Sequence, residues 1–342
     1  TALQADYGYA VIGVPGAVAG LVRLHAEFGT LPLEAVMEPA IRFARDGFPV
    51  NSIVAGQLAS AASDASEFEG TRRLYLKSDG SPFGEGEVLA NPELAATLTT
   101  IARTEGEDFY RGEIARRMAE DIQANGGAVT LQSLQDYRAE DALVVRGSYR
   151  GYDLAGSYIP SAGALAIEAL HILEHFDLRS MDPAERAAHV GMALSLAFQD
   201  WQLQGPPEMA ERLTSKEWAA QRAQEMAELV RGAGVGSFAG RSAGAFATGP
   251  GVLDPLAHPT GSHTTHLSTA DGNGMMVALT QTLGPNMGSK VVTPGLGFLY
   301  ASTLGGYLGY MEPGERARSN ICPFMVLDDG APLLVLGGAG GA

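Results

Sequence analysis

Apolar positions recur at helical spacing through most of the first two thirds of the chain. The pattern predicts helices over 17–28, 33–46, 51–64, 91–103, 113–125, 131–137, 165–176, 184–203 and 214–231. Punctuation supports the ends. Gly29 and Gly47 follow the first two helices, Asn91 stands where an N-cap belongs, and Asn125-Gly126-Gly127 closes another. Pro39 falls inside the second segment and is expected at a helix start. A short apolar strand is expected before Pro15-Gly16, and Leu143 to Gly156 reads as a hairpin of two β-rich runs.

Periodicity stops at Gly232. From there to Pro259 the chain is rich in Gly, Ala, Ser and Pro, the composition of an exposed linker. After Thr264 the pattern turns to β. Strands are expected over 264–270 and 275–283 around Asp271-Gly272-Asn273-Gly274, over 296–300, and in a hairpin about Asp328-Asp329-Gly330. The strand pair leaves its register open. A three-residue loop, Gly272 to Gly274, pairs 271 with 275 and hence 264 with 282, whereas a two-residue loop pairs 264 with 281.

Composition narrows the partners. The 342 residues carry a formal net charge of −16 and a pI near 4.8, which argues against nucleic acid and against an anionic membrane surface. No apolar run reaches membrane-spanning length. Cys322 is the only cysteine, so no intrachain disulfide forms, and periplasm and cytoplasm both remain open. No His, Cys or Asp spacing suggests a metal site, and Gly13 to Gly20 lacks the lysine of a phosphate-binding loop. No cofactor is implied. His263 and His266 flank Thr264 without a clear chemical duty, and His266 is expected to pack or hydrogen-bond within its strand.

Several short pieces recur in a consistent order: Gly13 to Gly20, Pro39 to Phe48, Phe109 to Ala115, Asn125-Gly126-Gly127, Tyr149 to Tyr152, Leu213 to Lys216, Thr264-Thr265-His266, Asp271-Gly272-Asn273, Asp329-Gly330 and Gly340-Gly341. Together they resemble the γ-glutamyltransferase family of N-terminal-nucleophile hydrolases. The resemblance implies an α+β fold, the four-layer αββα sandwich of that superfamily. It implies a large-subunit-like portion over 1–263, whose 232–263 stretch is a flexible linker, and a small-subunit-like β portion over 264–342. The two would form one domain. It also implies further family segments before Thr1 and after Ala342.

The implied chemistry starts with cleavage between His263 and Thr264. A threonine hydroxyl is a weak nucleophile and needs a base beside it, and the α-amine freed by that cleavage is such a base, with an intrinsic pKa of about 7.7–8.0. By resemblance Thr264 is the nucleophile and Thr282 the second threonine that hydrogen-bonds its hydroxyl. Gly340 and Gly341 supply backbone N–H groups to an oxyanion hole, where donors without side-chain bulk suit a developing negative charge. Large and small fragments of one precursor would associate as a heterodimer, open to further oligomerisation, and act on a small-molecule amide.

The acyl pocket departs from the family. The positions of its Asn, its Gln or Glu and its Asp read Gly284, Thr303 and Gly306, within Ala301 to Gly306, and its serine pair reads Ser319-Asn320. A buried amino-acid zwitterion without these partners costs several kcal/mol. Lys290, where the family has a small residue, is a candidate to bind an acidic acyl group, against the reading of a solvated surface lysine. Both a γ-glutamyl amide and a non-glutamyl amide fit as substrate. An unprocessed, inactive binding scaffold is the alternative.

Overall fold

The computed structural model describes residues 6–233, 264–308 and 311–339. Its chain forms two compact units, and each draws on both sides of the 263/264 boundary. The first unit comprises the described residues of Thr1–Glu140 and Thr282–Pro313, and the second those of Asp141–Thr260, Thr264–Gln281 and Gly314–Ala342. The expected linker lies outside the described residues from position 234 onward.

The first unit is helical. A 3-10 turn at Tyr9–Val11 stands where a strand was expected. It is followed by α1 (Ala17–Phe28), α2 (Leu33–Asp46), β1 (Phe48–Pro49), α3 (Ser52–Ala65), α4 (Glu69–Tyr75), β2 (Val88–Leu89), α5 (Pro92–Thr104), α6 (Glu107–Arg111), α7 (Glu113–Ala124) and α8 (Leu131–Asp136). Pro39 lies inside α2, not at its start. The missing N–H weakens that turn, and the helix persists because α2 packs along α5. Asn91 caps α5 as expected, its Oδ1 accepting from Leu94 N at 2.9 Å. The core is built from Ile12, Ile101, Met118, Ile122, Leu134, Leu296 and Tyr300, all nearly or wholly buried.

Residues 296–300 are coil, not the expected strand. Gly295 and Gly297 take left-handed φ values of 80° and 79°, which end any ladder. Helix side chains satisfy the carbonyls instead. Thr97 Oγ1 donates to Leu296 O at 2.7 Å, and Asn91 Nδ2 to Gly297 O at 2.7 Å.

The second unit sets α9 (Gly163–Leu173) on an antiparallel sheet of order β3-β4-β7-β8. Its strands are β3 (Val144–Tyr149), β4 (Tyr152–Ser157), β7 (Phe324–Asp328) and β8 (Ala331–Leu336). Both hairpins turn through two residues with positive φ, Arg150-Gly151 and Asp329-Gly330, the backbone that matches strand twist. Gly147 gives Ile167 room, since a Cβ there would lie 2.5 Å from its Cγ2. Helices α10 (Pro183–Gln199) and α12 (Lys216–Ala233) pack on α9 around Ile172, Leu196, Ala219 and Met226, and α11 (Pro207–Leu213) precedes α12. The α10 pattern ends early, because residues 200–203 tighten into a 3-10 turn. A separate hairpin, β5 (Thr264–Ala270) with β6 (Met276–Thr282), lies with β5 against β8. The chain is therefore α+β.

Candidate active site

Thr264 is the first residue of β5 and is half-buried. The loop below it is the three-residue form. Asp271 N donates to Met275 O at 3.0 Å, and Asp271 Oδ1 accepts from Asn273 N and Met275 N, each at 2.9 Å. Gly274 closes the loop with φ 88°. An aspartate that gathers the amides of its own turn fixes that turn. The register then runs from 271/275 to His266 opposite Thr280, and the side chains report it: His266 Nδ1 is 2.7 Å from Thr280 Oγ1.

The imidazole is held at both nitrogens, because Nε2 lies 2.9 Å from Ser268 Oγ. His266 thus hydrogen-bonds within its own hairpin, as expected from the sequence. Strand alternation puts Thr264, His266 and Ser268 on one face of β5. The same ring meets Gly337, where the chain leaves β8. A Cβ on Gly337 would sit 2.3 Å from His266 Cε1 and 2.4 Å from Nδ1. His263, Gly340 and Gly341 lie outside the described residues.

Ser319 and Asn320 are half-buried in the same unit. Ser319 N donates to Pro160 O at 2.7 Å, and Ala162 N to Ile321 O at 3.1 Å. These bonds clip the 319–321 segment to the turn that opens α9. Gly163 can be nothing larger there, since its Cβ would lie 2.5 Å from Ser157 O. The signal for this turn's supporting role was the Pro160-Ser161-Ala162-Gly163 run directly before an apolar helix. Cys322, next along, has its thiol pushed up to about 11 by burial, so little thiolate exists at neutral pH.

In the other unit, Thr282 Oγ1 accepts from Gly284 N at 3.0 Å. Gly284 has φ 87°, and the Tyr307 hydroxyl lies 2.4 Å from where its Cβ would be. The place of the expected Asn side chain is thus filled by a tyrosine, whose own pKa burial pushes up to about 12. Thr303 Oγ1 accepts from Gly13 N at 2.9 Å.

Lys290 is not a solvated surface lysine. It is 8% exposed. Its Nζ is 3.0 Å from Asp64 Oδ2 and 4.2 Å from the centroid of the Tyr7 ring, while its carbonyl accepts from Thr71 Oγ1 at 2.7 Å. Its charge already has a carboxylate partner. Among the described residues no group of His, Cys, Asp and Glu could hold a metal ion, and no helix is long and apolar enough to cross a membrane.

The gamma-glutamyltranspeptidase family model matches residues 2–342. The glutathione hydrolase proenzyme of Escherichia coli (strain K12) is 30% identical over 356 residues, covering 96% of this chain and 59% of that protein. The acylase ACY 1 proenzyme of Pseudomonas sp. (strain V22) is 31% identical over 340 residues, covering 96% and 58%. The crystal structure of cephalosporin acylase from Bacillus halodurans superposes with a TM-score of 0.79 at 26% identity, covering 97% of this chain and 60% of that one. The chain therefore spans about three fifths of the length of these relatives. With its α+β fold that of these enzymes, the chain belongs to the gamma-glutamyltranspeptidase family.

Proposed function

We propose that the protein is a self-processing amidohydrolase whose nucleophile is Thr264. The chain cuts itself between His263 and Thr264, and the two fragments stay associated. The freed α-amine of Thr264 takes the hydroxyl proton as the oxygen attacks the substrate carbonyl. Gly340 and Gly341 donate to the oxyanion that forms, and the amine returns the proton to the leaving nitrogen. Water or an acceptor amine then releases the acyl group from Thr264. Thr282 is assigned, by the family resemblance, as the second threonine that hydrogen-bonds the nucleophile's hydroxyl.

The observation that carries this reading is the hairpin register. The loop from Asp271 to Met275 is the form that the Thr264/Thr282 assignment requires, and the 2.7 Å His266–Thr280 pair keeps the same count. The family match supports the reaction class.

The acyl group is one without an α-ammonium. An ammonium needs carboxylates or amide oxygens, and the three positions where the family would place them are Gly284, Thr303 and Gly306. Gly284 is closed to a side chain by Tyr307, and the Thr303 hydroxyl is bonded to Gly13 N. Ser319 and Asn320 remain as donors for a carboxylate or carbonyl on the acyl chain. Lys290 is committed to Asp64 and is not assigned to the acyl group. Hydrolysis of γ-glutamyl-p-nitroanilide and of its des-amino counterpart, glutaryl-p-nitroanilide, tests this. Preference for the glutaryl compound is expected, and preference for the γ-glutamyl compound refutes the acyl assignment.

A further inference from the structure

The second unit has a hollow of about 340 Å³ lined by Tyr149, Arg150, Leu178, Arg179 and Arg186. None of these belongs to the acyl site. Three arginines line this one hollow, and like charges brought near one another repel unless an anion sits between them. Among the described residues some arginines of this acidic chain pair with carboxylates, and others, Arg72, Arg103 and Arg146 among them, do not. Arg23, Arg42, Arg45, Arg73, Arg111, Arg116 and Arg222 all pair with carboxylates. Arg150, Arg179 and Arg186 pair with none among the described residues.

The nearby carboxylates are committed elsewhere. Glu174 accepts from Arg150 N at 2.6 Å and pairs with Lys216. Asp177 Oδ1 accepts from Arg179 N at 3.3 Å. Asp182 and Glu185 form the capping box of α10. Two of the arginine heads are held in place by carbonyls. Arg150 Nη2 donates to Phe176 O at 3.0 Å with its head over the Tyr149 ring, while Arg186 donates to Leu178 O at 3.0 Å and Met181 O at 3.2 Å. Each still has N–H groups to offer, and Arg179 offers all of its own. Oriented planar donors of this kind match the oxygens of a phosphate in forked pairs.

We propose that this hollow binds a small phosphate-type dianion. Free phosphate and a phosphate monoester share that chemistry. The processed full-length protein is titrated calorimetrically at constant ionic strength with inorganic phosphate and with phenyl phosphate. Saturable binding is expected for at least one. Tighter binding of phenyl phosphate identifies a monoester as the natural ligand type, and equal binding identifies the bare anion. Arg179→Glu, whose side chain holds nothing in the fold, is expected to weaken binding at least about tenfold with an unchanged melting temperature. Absence of saturable binding by the native protein up to about 10 mM overturns the proposal, as does an Arg179→Glu variant that binds as tightly as the native protein.

Discussion

The His266 imidazole occupies the space that a Cβ on Gly337 would need, 2.3 Å from its Cε1, and hydroxyls of Thr280 and Ser268 hold the ring there. One side chain thus ties the strand that begins at Thr264 to the segment that leads on to Gly340 and Gly341. In the proposed reaction Thr264 and the donors at Gly340 and Gly341 must keep a fixed separation, and the contact at Gly337 is proposed to help keep it.

Gly337→Ala is therefore expected to lower kcat well over tenfold with little change in KM, because the added methyl pushes the ring or the following segment aside. Overpacking of this kind also costs about 1–3 kcal/mol of stability. His266→Ala removes the obstacle, so the double variant is expected to recover part of the kcat lost in Gly337→Ala. Steady-state kinetics of the four proteins form the cycle. Additive losses in the double variant contradict the coupling.

At Gly284, a left-handed backbone and the Tyr307 hydroxyl both oppose a side chain. Gly284→Asn is expected to destabilise the protein by about 2 kcal/mol and not to confer γ-glutamyl hydrolysis. Thermal melting and the γ-glutamyl-p-nitroanilide assay read both. Adding Tyr307→Ala is expected to return part of the stability by relieving the clash but not the backbone strain.

Glu168 is fully buried on α9, where it accepts from Trp218 Nε1 at 2.9 Å. Burial, reinforced by Asp200, pushes its carboxyl up to about 10. The Asp200 carboxylate is meanwhile held by Trp218 and Arg222. The folded state keeps a proton on Glu168 that the unfolded chain releases above its ordinary value near 4.5. The stability this group contributes is thus full at low pH and declines as pH rises from about 4.5 toward 10. Glu168→Gln keeps the shape and cannot ionise. Melting temperatures between pH 5 and 9 are expected to fall less steeply with pH in the variant than in the native protein, and parallel curves count against a protonated Glu168.

Local chemistry made most elements legible. Asn91, the turns at Arg150-Gly151 and Asp329-Gly330, and the loop after Asp271 each carry their instruction within a few residues. The 296–300 segment does not. Its carbonyls are satisfied by Asn91 and Thr97, some 200 positions away in the chain, and nothing local announces that. The same holds for Lys290, whose partner Asp64 is on another element, and for Ser319, whose backbone is held by Pro160. Gly337 was not legible, because the need for glycine there comes from a ring that only folding brings near.

The central claim is that Thr264 becomes an N-terminus. Intact mass spectrometry of the purified full-length protein measures this directly. The account predicts two fragments divided between His263 and Thr264 in the native protein, and one uncut chain for Thr264→Ala. A native chain that stays whole after long incubation, or a Thr264→Ala chain that still divides at that bond, contradicts it.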